Sequence, residues 1–405
     1  MHIGLLLARQ PILDRTLRLR GYELLARDSS GVFPLEQPGH VTTCQVLVET
    51  LGEFGLEKVV GALPAYINVT REFLTGEIPL PLPPERVVLE LLESIEPSEA
   101  VLRGARRLKR EGFTLALDDY TGSRPGYDEL LGLVDIVKVD CLGMDNEALA
   151  RAVGGLRPSG VRLLAEKVES PEMFRSCEKL GFEFFQGFFF ARPDLLRGRL
   201  QSVNRSSLLL LLSKIQDPDT TPEELEVVIA QDPVLSLKLV RFLNSAQIGL
   251  KRRIDSLREV VVYLGSDAVR NIACVMLLAR VDSKPRELMI TAMLRARMCE
   301  ELARERSPEN GHRAFTVGLF SMLDALVDQD LRDVVGPLPL HQEIHEALIH
   351  RSGRLGLQLE HVLAYERGEF ERLPRSDPSP GALREAYLNS LGWVMRMEAE
   401  LAAIA

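Results

Sequence analysis

Residues 113–140 read FTLALDDYTGSRPGYDELLGLVDIVKVD and contain two short apolar runs that end in acidic residues. The run FTLALDD ends in Asp118 and Asp119, and the run VDIVKVD carries Lys138 and ends in Asp140. Apolar runs of this length, bounded by turn-forming residues, are typical of buried strands. The stretch therefore predicts two strands that each bring charged side chains to their carboxyl ends.

Six further runs of the same kind lie in the N-terminal half of the chain. They are IGLLLA near the start, GYELLAR, YINVT, RVVLELLE, VRLLAEKVE and EFFQGFFFA. Helix-like segments separate several of them, as in PSEAVLRGARRLKREG and SPEMFRSCEKLG. Strands that alternate with helices predict a parallel sheet, and eight strands predict an α/β, TIM-like (β/α)8 barrel. We expect this domain to cover residues 1–200.

The C-terminal half has a different character, because strand-like runs end after Pro193 and helix signals dominate. The segment Thr221–Glu224 reads TPEE, a capping box with proline at the first helical position. Further helix starts are predicted at Asp232 and Ser256, and apolar residues follow at helical spacing. We expect an all-α domain over residues 201–405.

The composition is typical of a soluble, cytoplasmic protein. Its 405 residues favour two domains, and its net charge of −9 argues against a broad basic surface for nucleic acid. The five cysteines form no CxxC pair and are expected to be reduced thiols. The start lacks the features of a signal peptide, and the most apolar run, Leu208–Leu212, is far shorter than the ~20 residues of a membrane span. Neither a membrane nor nucleic acid is expected as a partner.

Acidic and amide residues are spread singly along the predicted strands, at or near their ends. They are Glu23, Asn68, Glu90, Asp118, Asp119 and Glu166, with Lys138 and Gln186 in the same setting. At one barrel mouth these carboxylates could not all stay ionised without a cation. Such oxygen ligands suit Mg²⁺ or Mn²⁺, so a divalent-metal site for a phosphorylated ligand is predicted. Taken singly, each carboxylate is more often a turn residue, a cap or a solvated charge.

The same residues carry a resemblance to a known family. The series GYELLAR, INVT, LELLE, LALDDY, VKVD, AEKVE and FQGFFFARP resembles the EAL domain in order and spacing. That family consists of cyclic di-GMP phosphodiesterases, built on a TIM-like barrel with one antiparallel strand, that open the cyclic dinucleotide to its linear form. The resemblance implies metal ligands at Glu23, Asn68, Glu90, Asp118 and Asp119, with Asp119 placed to bind a second metal. It implies a catalytic lysine at Lys138 and a water-activating base at Glu166. It also implies ligand-binding residues at Arg27, Asp140, Lys167 and Gln186, with Arg27 on a phosphate.

Three departures from the family pattern bear on turnover. Leu92 replaces a threonine in the ELLE motif, and the loop after Asp119 has lost its usual glycine and gained a proline. Lys167 turns the family's EGVE into EKVE. Strand alternation could turn Lys167 away from the pocket, or its ammonium could supplant a metal or pair with Glu166. The ligand shell is retained while the loop beside it is altered, so ligand binding is expected to outlast hydrolysis.

The helical half resembles the HDOD domain, an all-α relative of the HD-type metal phosphohydrolases. The resemblance rests on residues 229–265, IAQDPVLSLKLVRFLNSAQIGLKRRIDSLREVVVYLG. An active HD hydrolase needs a His-Asp doublet, and Ser321 and Met322 stand where it would fall. Hydrolysis by this domain is not expected. The resemblance implies a partner-binding role instead.

Two other clusters have competing interpretations. His341 and His345 are four residues apart, which is ligand spacing on a helix, but no HExxH is present and a solvated helix face is the simpler interpretation. The basic triplet Lys251–Arg253 fits a solvated loop better than a nucleic-acid patch.

Three hypotheses for the whole chain follow from these patterns. The first is a regulatory protein whose degenerate EAL domain binds cyclic di-GMP, with metal assistance, and signals through the HDOD domain to an unidentified protein partner. The second is an active Mg²⁺- or Mn²⁺-dependent phosphodiesterase that produces linear pGpG. The third is a scaffold without nucleotide binding. A homodimer is left open, because EAL relatives often dimerise near the altered loop.

Overall fold

Eight strands form a closed barrel in the first half of the chain. They are β1 (Leu5–Asp14), β2 (Leu19–Asp28), β3 (Ala65–Val69), β4 (Val87–Leu91), β5 (Thr114–Leu117), β6 (Ile136–Asp140), β7 (Arg162–Glu166) and β8 (Phe184–Gln186). Strand β1 pairs antiparallel with both β2 and β8, and all other neighbours pair parallel. The expected TIM-like barrel with one antiparallel strand is confirmed.

This computed structural model describes residues 5–28, 55–120, 127–156, 159–191, 202–244, 254, 256–279, 284–304, 310–374 and 377–404. The chain divides into two compact units. The first comprises Met1–Phe190 with Glu366–Glu371, and the second comprises Ala191–Tyr365 with Arg372–Ala405.

Two strand boundaries differ from the sequence prediction. The expected run IGLLLA ends at residue 8, but β1 continues through Pro11 to Asp14. Proline cannot donate to a strand ladder and is uncommon inside strands, which is why the run was expected to be shorter. At the other end of the barrel sequence, β8 stops at Gln186, and Phe188–Ala191 forms a 3-10 helix in place of the expected strand.

Gly187 ends β8 for a steric reason. Its φ is +135°, and a Cβ atom at this position would lie 2.2 Å from the carbonyl oxygen of Val168. The Val168 N–H donates to the carbonyl of Gln186 at 3.0 Å, and the Phe189 N–H donates to the carbonyl of Val168 at 3.0 Å. Only glycine permits this close approach of backbone to backbone. The approach fixes the end of β8 beside the segment that follows β7.

Six helices are described around the barrel. They are α1 (Leu56–Val60), α2 (Arg71–Thr75), α3 (Glu99–Arg110), α4 (Tyr127–Leu131), α5 (Asn146–Leu156) and α6 (Pro171–Leu180). Helix α6 begins after Ser170, whose side chain accepts a hydrogen bond from the Met173 N–H, and ends at Gly181 in a left-handed conformation. Serine and glycine are common residues at these two helix ends.

The second unit contains only helices among its described elements. They are α7 (Ser202–Gln216), α8 (Pro222–Ala230), α9 (Pro233–Leu243), α10 (Leu257–Leu264), α11 (Ser266–Leu278), α12 (Arg286–Arg304), α13 (Gly311–Phe320), α14 (Leu323–Val327), α15 (Leu331–Val335), α16 (Gln342–His350), α17 (Gly353–Glu366) and α18 (Pro380–Ile404). The capping box of Thr221 and Glu224 forms, and Asp232 and Ser256 cap α9 and α10. The predicted all-α character of this half is confirmed.

Helix α12 lies at the centre of the second unit, packed against α13 and α18. Trp393 of α18 contacts Phe315 of α13 edge-on, with ring centroids 6.0 Å apart. Ser321 and Met322, at the place of an HD doublet, are both buried. The Ser321 hydroxyl accepts a hydrogen bond from Arg295 at 2.8 Å and donates to the Gly318 carbonyl at 2.7 Å. The Ser321 hydroxyl thus serves the internal hydrogen bonding of the helical unit.

In the helical half, His341 and Asn244 have structural roles. His341 precedes α16, and its Nδ1 accepts from the Glu343 N–H at 3.4 Å, so it caps the helix and does not share a helix face with His345. Asn244 is the C-cap of α9, and its side chain exchanges hydrogen bonds with the backbone of Ile254. The triplet Lys251–Arg253 lies outside the described residues.

Within the described ranges, no single helix is long and apolar enough to cross a membrane. Helices α10 and α11 meet that requirement only when taken together, across a bend of 118°.

Candidate functional site

The predicted site residues lie one layer above a ring of core side chains inside the barrel. This core layer consists of Ile12, Tyr66, Val88, Ala116, Ile136 and Leu164, with Phe184 packed against it. Because strand side chains alternate between two faces, the residue two positions further along a parallel strand points to the same side. Those residues are Asn68, Glu90, Asp118, Lys138, Glu166 and Gln186. The strand period alone therefore brings six predicted site residues to one mouth.

Strand β2 contributes Glu23 by the same rule. Gly21 occupies the core-layer position of β2, where a Cβ atom would lie only 2.8 Å from the Tyr66 ring. The tyrosine fills the space that a side chain at position 21 would take. Glu23, two residues further on, is buried at the mouth.

The ammonium group of Lys138 is the centre of this site. Its side chain is 0% exposed, and its Nζ lies within 3.3 Å of oxygens from four carboxylates. The distances are 2.7 Å to Glu90 Oε1, 2.8 Å to Glu166 Oε1, 2.9 Å to Asp118 Oδ1 and 3.3 Å to Glu23 Oε2. The scattered acidic residues thus converge, as the sequence led us to expect, but they do so around a lysine.

One ammonium cannot neutralise four carboxylates, and the pKa values reflect this. Burial opposes the charge of Lys138, but the surrounding carboxylates outweigh burial and raise its pKa well above the ordinary value. Burial also raises the pKa of Glu90 well above its usual range, with the nearby Glu23 adding to the effect. Burial raises the pKa of Glu166 to about 8, against the opposing influence of Lys138. The buried site therefore favours the protonated forms of Glu90 and Glu166, while Lys138 keeps its charge.

Gln10 is a site residue that the sequence reasoning missed. Gln186 Nε2 donates to Glu23 Oε2 at 2.6 Å and to Gln10 Oε1 at 2.8 Å. Gln10 in turn donates to the carbonyl of Arg367 at 3.3 Å, in a segment that belongs to the same compact unit. The available signal was its position two residues from Ile12 on an antiparallel strand, which puts Gln10 on the mouth side of the core layer.

The donor atoms of the site fit a hard divalent cation. Oxygens of four residues are buried without a partner: Asn68 Oδ1, Glu90 Oε2, Glu166 Oε2 and Gln186 Oε1. Buried polar atoms are normally paired, so a cluster of unpaired oxygens calls for an explanation. Carboxylate and amide oxygens are the ligands that Mg²⁺ and Mn²⁺ prefer. In the described part of the chain, no three His, Cys, Asp or Glu side chains are already arranged around a metal position.

Asp119, Asp140 and Lys167 form the rim of the mouth. Lys167 Nζ lies 2.5 Å from Asp140 Oδ2, so Lys167 pairs with Asp140 and not with Glu166. The other oxygen of Asp140 accepts a hydrogen bond from the Leu142 N–H at 2.8 Å. Asp119 and Lys167 both have positive φ, +43° and +52°. This conformation is uncommon for residues other than glycine and is found mostly where a site constrains the backbone.

Two predicted features fall wholly or partly outside the description. The backbone of Arg27 pairs with Leu6 in β1, but its side chain lies outside the described residues. The altered loop at residues 121–126 also lies outside them.

Comparison with known proteins identifies two domain models in the chain. The EAL domain model matches residues 72–193, and the HDOD domain model matches residues 205–331. A relative from Vibrio cholerae, "Cyclic di-GMP phosphodiesterase CdgJ", is 34% identical over 370 residues, which cover 90% of this chain and 85% of the relative.

Two further similarities have lower identity. "Uncharacterized protein YuxH" of Bacillus subtilis is 28% identical over 399 residues, which cover 95% of this chain and 97% of the relative. The solved structure of Klebsiella pneumoniae BlrP1 in a calcium and cyclic di-GMP complex covers 47% of this chain and 55% of that chain, with 24% identity and a TM-score of 0.38.

Proposed function

Because the chain belongs to the family of proteins that join an EAL domain to an HDOD domain, we propose that it binds cyclic di-GMP at its barrel mouth with the help of Mg²⁺ or Mn²⁺. In this proposal the protein is a cytoplasmic regulator with weak or no hydrolytic activity. The barrel domain, residues 1–200, senses the nucleotide. The HDOD domain, residues 201–405, signals to a protein partner whether the barrel has bound the nucleotide.

The observation that carries the proposal is the set of buried, unpaired oxygens around Lys138. A scaffold without a ligand would gain stability by replacing such groups with apolar ones, because buried ionic groups are costly to desolvate. Their presence at the mouth of a closed barrel supports a cation and an anionic ligand as the missing partners. A cyclic dinucleotide, which carries two phosphates, would be a suitable anionic ligand.

The cation site in this proposal consists of Glu23, Asn68, Glu90 and Asp118. When bound there, a divalent ion would polarise a phosphate oxygen and favour deprotonation of a water molecule. Arg27 would contact a phosphate, and Gln186 and Asp140 would line the nucleotide pocket. The hydrogen bonds from Gln186 to Glu23 and Gln10 hold that amide in one orientation.

Glu166 and Lys138 are the chain's candidate catalytic residues. The pKa of about 8 makes the ionised form of Glu166 a stronger base than an ordinary carboxylate, which suits a group that takes a proton from water. The Lys138 ammonium, 2.8 Å from Glu166, would stabilise negative charge that develops on the phosphate. The same ammonium also holds Glu166 by an ion pair, which opposes its role as a base.

Weak turnover is supported by the surroundings of these residues. Lys167 engages Asp140 at the rim, Asp119 has a constrained backbone, and Leu92 follows β4 where the family has a threonine. Displacing a catalytic group by about 1 Å can cost about a hundredfold in rate while leaving most binding contacts in place.

A second candidate is an active phosphodiesterase that opens cyclic di-GMP to linear pGpG. It is favoured by the similarity to the relative from Vibrio cholerae, which is named as a cyclic di-GMP phosphodiesterase, and by the presence of every expected ligand residue. Under this alternative the same residues act, with Glu166 as base and Lys138 against the phosphate.

Calorimetry with cyclic di-GMP and Ca²⁺ tests binding. The proposal predicts saturable heat for the wild-type protein, its loss in Glu23→Ala, and its retention in Glu183→Ala, an exposed glutamate at the start of β8. Absence of heat with the wild type would contradict the proposal. Incubation with Mn²⁺ then tests turnover, and steady formation of pGpG would establish the second candidate.

The signalling role of the helical domain has its own support. Val262 and Tyr263 on α10 are 80% and 58% exposed, which is unusual for a valine and a tyrosine side by side on a helix. We place partner contact on this helix. Cross-linking from position 262 in cells with high and low cyclic di-GMP tests it, and an adduct that forms equally in both would contradict transmission of occupancy.

A further inference from the structure

The rim of the mouth holds a second positive charge in addition to Lys138. Lys167 follows Glu166 directly, at a position where the family motif has a glycine. Its φ of +52° is one that glycine adopts easily and lysine rarely. The backbone therefore retains the conformation of the glycine motif while the position carries a cation.

The Lys167 ammonium contacts one acidic group and is influenced by two others. Asp140 Oδ2 is 2.5 Å away, and Asp119 and Glu166 act on Lys167 through their charges. Partial burial works against the charged form, but the hydrogen bond and charge of Asp140, helped by Asp119 and Glu166, raise the pKa of Lys167. The ammonium is therefore fully charged under physiological conditions.

Asp140 has no carboxylate oxygen left over. Oδ2 is paired with Lys167, and Oδ1 accepts the hydrogen bond from the Leu142 N–H. A divalent ion between Asp119 and Asp140 would have to displace the lysine from Oδ2 and then lie close to its positive charge. Coulomb repulsion between a dication and an ammonium at a few Å is strong in a partly buried site.

We propose that the Lys167 ammonium takes the place of a second divalent cation at the rim, so that this chain holds one divalent ion, at the Glu23–Asn68–Glu90–Asp118 set, and not two. Asp119, expected from the sequence to bind a second metal, is then balanced by the lysine. The inference deepens the proposed function and rests on its metal site. The Lys167 ammonium then keeps a positive charge at the rim even at low metal concentration.

A different outcome is expected if the Lys167–Asp140 pair is only a surface ion pair. The Lys167 side chain is 52% exposed, and exposed ion pairs usually contribute little. If the pair with Asp140 were only a surface contact, a strongly bound dication would displace the lysine, and the number of bound metal ions would not depend on residue 167.

The test counts Mn²⁺ ions on the full-length protein without nucleotide. Calorimetry gives the stoichiometry, and electron paramagnetic resonance separates an isolated Mn²⁺, which gives a resolved six-line signal, from two coupled ions, which give a broadened one. We expect one ion on the wild type and on Lys167→Arg, and two on Lys167→Met and Lys167→Gly. Lys179→Met, a lysine in the last turn of α6, is the control and should bind one.

The outcomes separate this inference from the function on which it rests. Two coupled ions on the wild type, or a single ion on both Lys167→Met and Lys167→Gly, would overturn the inference and leave the metal site intact. Failure of all variants to bind Mn²⁺ would overturn the metal site itself and the inference with it. Lys167→Gly also removes the unfavourable φ, so its melting temperature should equal or exceed that of the wild type, which guards against misfolding.

Discussion

Lys138 Nζ lies 2.7 Å from Glu90 Oε1, and both side chains are completely buried in the barrel mouth. The two residues stand on strands β4 and β6, which do not pair with each other but flank β5. Three further carboxylates surround the same ammonium, which makes Lys138 the residue that holds the site together when no other cation is bound.

Removal of the central ammonium should destabilise the protein and make it dependent on metal. In Lys138→Met, buried carboxyl groups lose their counter-charge, and breaking a buried ion pair from one side typically costs about 3–5 kcal/mol. Mn²⁺ should restore part of this loss by replacing the positive charge. Urea unfolding with and without Mn²⁺ measures both effects.

Lys109→Met is the matched control for this measurement. Lys109 forms a single, partly exposed pair with Asp135, so its loss should cost about 1 kcal/mol and should not respond to Mn²⁺. Equal losses in the two variants would mean that the carboxylates do not depend on Lys138.

Metal binding should release protons and strengthen as pH rises. Burial raises the pKa of Glu166 to about 8, so below that pH the folded protein holds a proton on this carboxyl that a metal ion must displace or work against. The apparent affinity for Mn²⁺ is therefore expected to increase from pH 6 to pH 9, by up to about tenfold per unit below pH 8. Titration in two buffers of different ionisation enthalpy measures the proton release.

Glu166→Gln tests the assignment of that proton. It should bind Mn²⁺ with a flatter pH dependence than the wild type, because the group that titrates near pH 8 is gone. An unchanged slope would show that another group supplies the proton.

The turn between β1 and β2 should become less stable in acid. Asp14 accepts hydrogen bonds from the Thr16 N–H at 2.8 Å and the Arg18 N–H at 3.1 Å, and pairs with Arg20 at 2.7 Å. Burial alone would raise the pKa of Asp14, but these contacts outweigh it and lower the pKa from 3.8 to about 2. A lowered folded pKa contributes stability that is complete above the unfolded value of 3.8 and is lost as the pH falls through 2.

Asp14→Asn tests the direction of this pH dependence of stability. The variant should be less stable than the wild type at pH 7, by about 1 kcal/mol, and the difference should shrink between pH 4 and pH 2. Urea midpoints at several pH values measure it. A difference that grows in acid would have the wrong sign.

Addition of one methyl group at Gly187 should be highly disruptive. Gly187→Ala places a Cβ atom 2.2 Å from a backbone oxygen at a φ of +135°, so the end of β8 must move and Gln186 with it. A loss of more than about 4 kcal/mol is expected, together with weaker nucleotide binding. Thermal unfolding and calorimetry measure the two effects.

Gly181→Ala tests the effect of a positive φ without a steric clash of the added Cβ atom. Gly181 also has a positive φ, +105°, but nothing lies within 4 Å of an added Cβ atom. Its substitution should cost only about 1 kcal/mol. Similar losses at both glycines would contradict the steric explanation.

The sequence predicted the barrel and most of the mouth because both follow from a local period. Apolar runs such as FTLALDD and VDIVKVD become strands, and the side chain two positions beyond each core residue reaches the mouth, as with Ile136 and Lys138. This rule applies within each strand, so the order of the strands around the barrel is not needed to use it. For this reason the structure brings Glu23, Glu90 and Glu166 together around Lys138, with Asn68 at the same level of β3.

The features that the sequence did not predict depend on contacts between distant segments. Gln10 was missed because Pro11 interrupts its strand pattern, and its role depends on Gln186, 176 residues away. The pairing of Lys167 with Asp140 was not among the expected alternatives, because it depends on the twist of two neighbouring strand ends. Asp119 and Lys167 at this rim have positive φ values, which depart from regular strand geometry.

The most direct test of the account is the position of Mn²⁺ in crystals of the wild-type protein, measured by anomalous diffraction. We expect a peak at the barrel mouth, within about 2.1–2.3 Å of oxygens from Glu23, Asn68, Glu90 and Asp118. Full occupancy of another site, with these four side chains still gathered around Lys138, would contradict the claim that the mouth is built to hold a divalent cation.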